Sequence, residues 1–164
     1  MEDESLPLHQ DLIKYSNAND VLAQLNSGQL LMVNSRRRNG LIIYKRFHAE
    51  FAGPGAAIGG FFDVDCQRAI PVGDLSLSNP KDQEERQKAY LIRRQWIRLT
   101  QQFTDNPAPL QRAQMILNQF ENYFSQDVVA DLPDEAFALL VGVLPQTIRM
   151  TRRGSNNFSS KLKF

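Results

Sequence analysis

Pro133, Gly142 and Pro145 constrain the chain more than any other feature. They punctuate residues 132–154, which read LPDEAFALLVGVLPQTIRMTRRG. Proline has no amide proton and a fixed φ, so it is tolerated in the first turn of a helix and breaks one further in. Glycine reaches the left-handed backbone conformation that ends a helix sharply. The spacing predicts helices over 133–141 and 145–153 with a tight turn between them. Asp131 is placed to cap the first helix, and Asp134 and Glu135 put negative charge at its positive end. Ala136, Leu139, Leu140 and Val143 form an apolar stripe with Phe137 beside it, and Ile148 is expected to pack back into the angle.

Ala138, Gly142 four residues later and Ile148 six residues after that form the core pattern of the stretch. Here it resembles the helix-turn-helix of bacterial transcription regulators, over about 20 residues and not over the whole chain. The chain departs from that pattern at Leu144-Pro145, where the family often has a capping Ser or Thr. The resemblance implies a second helix that reads duplex DNA. Gln146 and Arg149, three apart on one face, would look into a major groove, Gln146 toward adenine and Arg149 toward guanine. Arg152, Arg153, Lys161 and Lys163 would meet phosphates. From Gly142 to the end the chain has five cations and no acid. A terminal helix pair followed by a solvated basic tail, residues 155–164, is the plainer reading of the same residues.

Charge is uneven although the net is only +1. Residues 1–80 have 7 basic and 9 acidic groups, residues 81–164 have 12 and 9. The positive excess therefore lies where a polyanion partner would dock. A single cysteine, Cys66, forms no internal disulfide, and with His9 and His48 remote in sequence it gives no metal signature. Cysteine poverty fits a cytoplasmic location. The acidic start, MEDESLPLHQ, has no apolar stretch of the secretory type, and no run long enough to span a membrane is present. Neither a cofactor nor a metal is expected. An enzyme is not expected either, because no Cys-His, Ser-His or paired-carboxylate arrangement is recognisable.

The first 80 residues are expected to hold a small α+β domain behind a flexible arm, residues 1–10. A helix reaches Leu25, with Val21 and Leu22 facing inward. QLLMVN (29–34) and LIIYKRFHAEF (41–51) read as two strands of a β-hairpin, 29–51, whose Asn39-Gly40 pair favours a turn. The alternation in the second strand is imperfect, which implies that both of its faces are partly covered. Arg36, Arg37 and Arg38 at the hairpin tip are either a second contact to a phosphate backbone, DNA or RNA, or a solvated loop. AGPGAAIGG (52–60) lacks the Gly-Lys-Ser/Thr ending of a phosphate loop, so a tight turn or a close backbone crossing is expected. FFDVDC (61–66) reads as a third strand with Phe61 or Phe62 buried and Asp63 and Asp65 on a solvated face, and 69–77 as a further short strand. His48 and Glu50 read as a surface pair.

Ser78-Asn79-Pro80 marks the expected domain boundary. Beyond it, residues 81–105 form a long linking or dimerisation helix, with Ala89, Ile92, Trp96, Leu99 and Phe103 along one stripe and Arg86, Arg93, Arg94 and Arg98 on the flanks. Asn106-Pro107-Ala108-Pro109 breaks it. Residues 108–154 form a three-helix domain ending in the helix-turn-helix. The chain thus reads as an α+β, DNA-binding regulator that works as a homodimer and uses its N-terminal part for a partner or signal. The alternative is an adaptor that presents the same arginines to an acidic protein partner.

Overall fold

Residues 40–44, Gly-Leu-Ile-Ile-Tyr, are buried along their whole length. A strand reaches that state only when layers cover both of its faces. In the computed structural model, which describes residues 12–14 and 18–162 and the side chains of 19–154, this run is the middle strand of the middle layer. The elements are β1 (Leu12–Lys14), α1 (Ala18–Asn26), β2 (Leu30–Val33), β3 (Gly40–Tyr44), β4 (Ala49–Ala52), β5 (Ala57–Gly59), β6 (Arg68–Val72) and β7 (Ser76–Ser78). The helices α2 (Gln83–Thr104), α3 (Pro109–Tyr123), α4 (Gln126–Asp131), α5 (Asp134–Val141) and α6 (Pro145–Leu162) follow. The fold is α+β. One antiparallel sheet runs β1-β7-β2-β5 and the other β4-β3-β6.

Period-two alternation divides β3 between two cores. Leu41 and Ile43 point into the space between the sheets, where they meet Leu31, Val33, Ile58, Leu75, Leu77 and the helix residues Val21 and Leu25. Ile42 and Tyr44 point the other way, with Phe51 and Val72, into a core built from α3, α5 and α6: Ile116, Phe120, Phe137, Leu140 and Ile148. The boundary expected at residues 78–80 therefore divides the chain into two runs, while the second core draws on both of them.

The predicted hairpin over 29–51 does not form. β2 pairs with β5 and β7, whereas β3 pairs with β4 and β6. Residues 34–39 are a crossover between layers, held by the fully buried Asn39. Its amide donates to the carbonyls of Asn34 and Arg37, each at 3.0 Å, and accepts from the amide of Ser76 at 3.0 Å. Neither Asn39 nor Gly40 takes a left-handed conformation. The 41–51 run folds back on itself at Lys45-Arg46-Phe47-His48, closed by a hydrogen bond from the Lys45 amide to the His48 carbonyl at 2.8 Å. Residues 69–77 yield β6 and β7, in different sheets. Residues 61–66 form turns rather than a strand, and Phe61 is 90% exposed with Phe62 also in solvent.

The glycine-rich segment is a crossing of backbone and helix. Trp96 of α2 lies flat against Gly53, where an added Cβ would stand 2.4 Å from the ring, and its indole nitrogen donates to the Pro54 carbonyl at 3.3 Å. No phosphate cradle is needed to explain these glycines.

A buried ion cluster fixes α2 to the sheets. Arg93, expected on a solvated flank, is buried instead. Its guanidinium donates to both oxygens of Asp63 at 2.9 and 3.1 Å, to Glu50 at 2.8 Å and to the Ala57 carbonyl at 3.1 Å. Asp63, expected on a solvated face, is fully buried and also accepts from Lys45 at 2.6 Å and from the Gly59 amide at 2.8 Å. Glu50 accepts from His48 at 2.9 Å, so that pair belongs to the cluster rather than standing alone on the surface. Burial pushes both carboxyls up, but the hydrogen bonds and charge of Arg93, with Lys45 at Asp63 and His48 at Glu50, outweigh it and hold both pKa values below the ordinary carboxylate range.

Breaking a buried, paired charge strands its partner, at a cost of roughly 3–5 kcal/mol. Asp63→Ala is accordingly expected to lower the urea midpoint by that much stability near neutral pH. Folded carboxyls with lowered pKa values bind fewer protons than the unfolded chain. Wild-type stability is therefore full above the ordinary carboxylate pKa of about 4 and is lost as pH falls through the folded values. Urea unfolding between about pH 2 and 7 should show a shallower acid loss in the variant. An equal slope in both proteins would remove Asp63 from the pH dependence.

Candidate functional site

The turn between α5 and α6 is built from the residues that punctuate the sequence. Gly142 takes φ 69° and ψ 46°, the left-handed conformation, and its amide donates to the Ala138 carbonyl at 2.8 Å, as that of Val143 does at 3.1 Å. An added Cβ at Gly142 would meet nothing within 4 Å. The glycine is needed for its backbone angle and not for space. Arg112 of α3 closes the turn from outside. It donates to the carbonyls of Val141 and Gly142 at 2.9 and 3.0 Å, and to that of Asn106 at 2.7 Å. Carbonyls at a helix end otherwise lack partners.

α6 presents two unlike faces. Ile148 is fully buried against α3 and α5, and Thr151 is buried with its hydroxyl on the Thr147 carbonyl at 2.7 Å. Gln146, Arg149, Met150 and Arg153 are exposed on the opposite side. The spacing expected from the sequence therefore has Gln146 and Arg149 in solvent. Arg149 has one loose neighbour, Asp134 at 3.6 Å. An exposed pair of that length contributes little to stability.

Arg152 is placed differently from its expected role at phosphates. It donates to the carbonyls of Val129 and Leu132 at 3.2 and 2.7 Å, so it closes the end of α4. Its Nε stands 2.9 Å from Asp134 as an ion pair without hydrogen-bond geometry, and its guanidinium lies 5.0 Å over the Phe137 ring. These partners hold its charge inward. Two other readings change. Asp131 ends α4 instead of capping α5, where Pro133 stands at the cap position without a side-chain bond. The expected tail continues α6 as helix to Leu162. The side chain of Lys161, all of Lys163 and the arm over residues 1–10 lie outside the described residues.

Arg36, Arg37 and Arg38 are exposed on the 34–39 crossover. Arg37 pairs with Asp74 at 3.1 Å, and Arg38 stacks over Tyr123 at 5.4 Å while donating to its carbonyl at 3.4 Å. Two of the three arginines thus serve local contacts.

Two open clefts flank Glu50. One, of about 570 Å³, lies between the Phe47–Glu50 turn, the α2 residues Ile97, Thr100 and Thr104, and Leu139, Gly142 and Val143 of the turn region. The other, of about 550 Å³, is lined by Lys45, Phe62, Tyr90, Arg93 and Arg94. Among the described residues no group of three His, Cys, Asp or Glu side chains is placed to hold a metal. Burial pushes the Cys66 thiol up, which disfavours its thiolate. No helix among the described residues is long and apolar enough to cross a membrane.

Sequence reasoning missed Arg112, Arg93 and the inward role of Arg152. Apart from the Asn106 carbonyl at Arg112, their partners are backbone carbonyls or acids 18 to 43 residues away. Such contacts leave no local spacing to detect. No described protein family matches the chain, and no curated protein matches it. Among solved structures it is similar to CprK (C200S) complexed with OCPA, at 12% identity and a TM-score of 0.48, over 95% of this chain and 84% of that chain. A likeness at that level assigns neither family nor function.

Replacing Arg152 by Met removes two charge-assisted bonds to carbonyls and is expected to cost roughly 2–3 kcal/mol. Arg149→Ala, on the exposed face, should stay within about 0.5 kcal/mol of wild type. Thermal and urea unfolding of the two variants check the contrast, and equal losses would refute the division between inward and outward arginines.

Proposed function

We propose that the chain is a DNA-binding regulator that reads duplex DNA with α6, the α5–α6 pair acting as its helix-turn-helix. The observation that carries this reading is the outward face of α6. Gln146, Arg149 and Arg153 stand in solvent, while Ile148 on the opposite side is locked into the core. A helix held that way offers a donor- and acceptor-bearing side chain and two cations to a groove. Arg149 and Gln146 meet base edges in this reading, and Arg153 meets a phosphate, with the tail lysines as further phosphate contacts. The work takes place in the cytoplasm, without a cofactor.

One copy offers few cations, so specific affinity calls for two. The surface that favours pairing is the outer side of α2, where Leu91 is 56% exposed and Arg94 and Arg98 follow on the same flank. A two-fold mate along α2 would place a second α6 on the next half-site. Exposed Leu144 at the turn favours a second reading, in which the same face docks on an acidic protein partner.

Binding to genomic and random duplexes between about 50 and 300 mM salt separates the two readings, because counterion release makes DNA affinity fall steeply with salt. The paired change Arg149→Ala with Arg153→Ala should weaken binding and reduce the log–log salt slope by roughly 1–2. If wild type and variant bind every duplex equally poorly at low salt, the DNA reading fails. A salt-dependent protein contact would lack the preference for one duplex sequence.

Leu91→Glu tests the pairing. Light scattering is expected to report a wild-type dimer and a monomeric variant, with DNA affinity reduced at least tenfold. A wild type that stays monomeric at concentrations where it binds DNA would overturn the dimer.

A further inference from the structure

We propose that Met150 is a specificity determinant of this protein, reading the C5-methyl group of a thymine at or beside the pair read by Gln146. The inference rests on the DNA-reading role of α6 and assigns a chemistry to a residue which that role leaves idle.

Met150 is 61% exposed, with no described aromatic or polar partner, on a face otherwise made of Gln146, Arg149 and Arg153. Helix geometry places these four side chains within an arc of about 100°. Gln146 and Arg153 lie near its midline, Arg149 on one flank and Met150 on the other. Met150 stands about 6 Å further along the axis than Gln146, close to one turn. The buried side of the same helix is already filled by Ile148 and Thr151, so Met150 adds nothing to the core.

An apolar side chain at the edge of a polar face suits one major-groove feature. An A·T pair shows adenine N7 and N6 to a side-chain amide, and beside them the thymine methyl, the apolar group that the four bases present there. Glutamine satisfies the adenine edge and cannot exploit the methyl. Methionine, unbranched, with rotatable bonds and a polarisable sulfur, adapts to an apolar target whose depth varies. On the proposed reading of α6, Arg149 and Arg153 bring the phosphate-bearing duplex to this face.

The test uses the full chain. Preferred sites are first selected from random duplexes, and each thymine of the preferred site is then replaced singly by deoxyuridine, which lacks only the methyl group. Burying one methyl-sized group contributes about 0.8 kcal/mol, or about fourfold in affinity. Wild type should lose about fourfold at one or two thymine positions. Met150→Ala should bind the unmodified site about fourfold more weakly and be indifferent to deoxyuridine there, the signature of direct coupling between the two groups. Its melting temperature and salt slope should match wild type, because Met150 is exposed and uncharged. Equal sensitivity of both proteins, or none in wild type, would overturn the assignment while leaving DNA reading intact. If wild type selects no sequence at all, the reading of α6 as a base probe falls, and the role of Met150 falls with it.

Discussion

β3 has no solvent face, and the architecture follows from that. Its odd residues close the core between the two sheets, and its even residues form the floor of the core that α3, α5 and α6 share. Four consecutive large apolar side chains, Leu41 to Tyr44, would be insoluble on a one-sided sheet. Burying each one stabilises the fold by about 1.5–3 kcal/mol. That gain is realised only if the N-terminal strands and the C-terminal helices pack on the same sheet. Tyr44 and Phe51 on one side and Phe120 and Phe137 on the other belong to one continuous cluster, with Phe51 and Phe120 rings 5.0 Å apart. The helical half is therefore seated on the β half rather than tethered to it.

The ion cluster around Arg93 solves a different problem. Apolar contacts alone would let α2 slide along the glycine-rich crossing, because smooth surfaces specify position weakly. A guanidinium shared between Asp63, Glu50 and the Ala57 carbonyl has one satisfactory place. The desolvation of four charged groups offsets much of the attraction, so the cluster contributes more to register than to net stability. Its Nε remains without a partner, a small residual cost of holding the other nitrogens where they are. Trp96 against Gly53, one turn along α2, fixes the same register by shape.

Local rules carried most of the helices, though not α4, which makes the expected three-helix unit over 108–154 a four-helix one, and failed on strand pairing, for a physical reason. Pro109, Pro133, Gly142 and Pro145 act on their own backbone, so the breaks they impose are visible in sequence and recur in the structure. The pattern of partly covered faces in 41–51 was legible too, because burial on both sides erases alternation. Strand pairing was not legible. Asn39-Gly40 has the composition of a hairpin turn, yet Asn39 serves as a buried bracket between layers, bonded to Ser76 37 residues away. Nothing near Asn39 encodes that partner. Arg93 and Asp63 show the same limit with charge, since an arginine beside Arg94 on a helix flank reads as solvated until its acid, 30 residues earlier, is brought beside it. On α6 the exposed and buried sides follow from helical spacing alone. The inward turn of Arg152 does not, because its targets are carbonyls of α4.

The shared core restricts how α6 can move relative to the sheets. α5 lies on the β4–β3 wall, and α6 is held by α3, by Ile148 and by Arg152. A hinge between the β half and α6 would have to break the aromatic cluster around Phe51, which is costly. Two clefts flank Glu50 at that junction. Both clefts are lined by Glu50 and Ile97, and one of them reaches Leu139 and Gly142 at the α5–α6 turn. The packing around α6 is what keeps Gln146 and Arg149 on its outward face while Ile148 stays in the core.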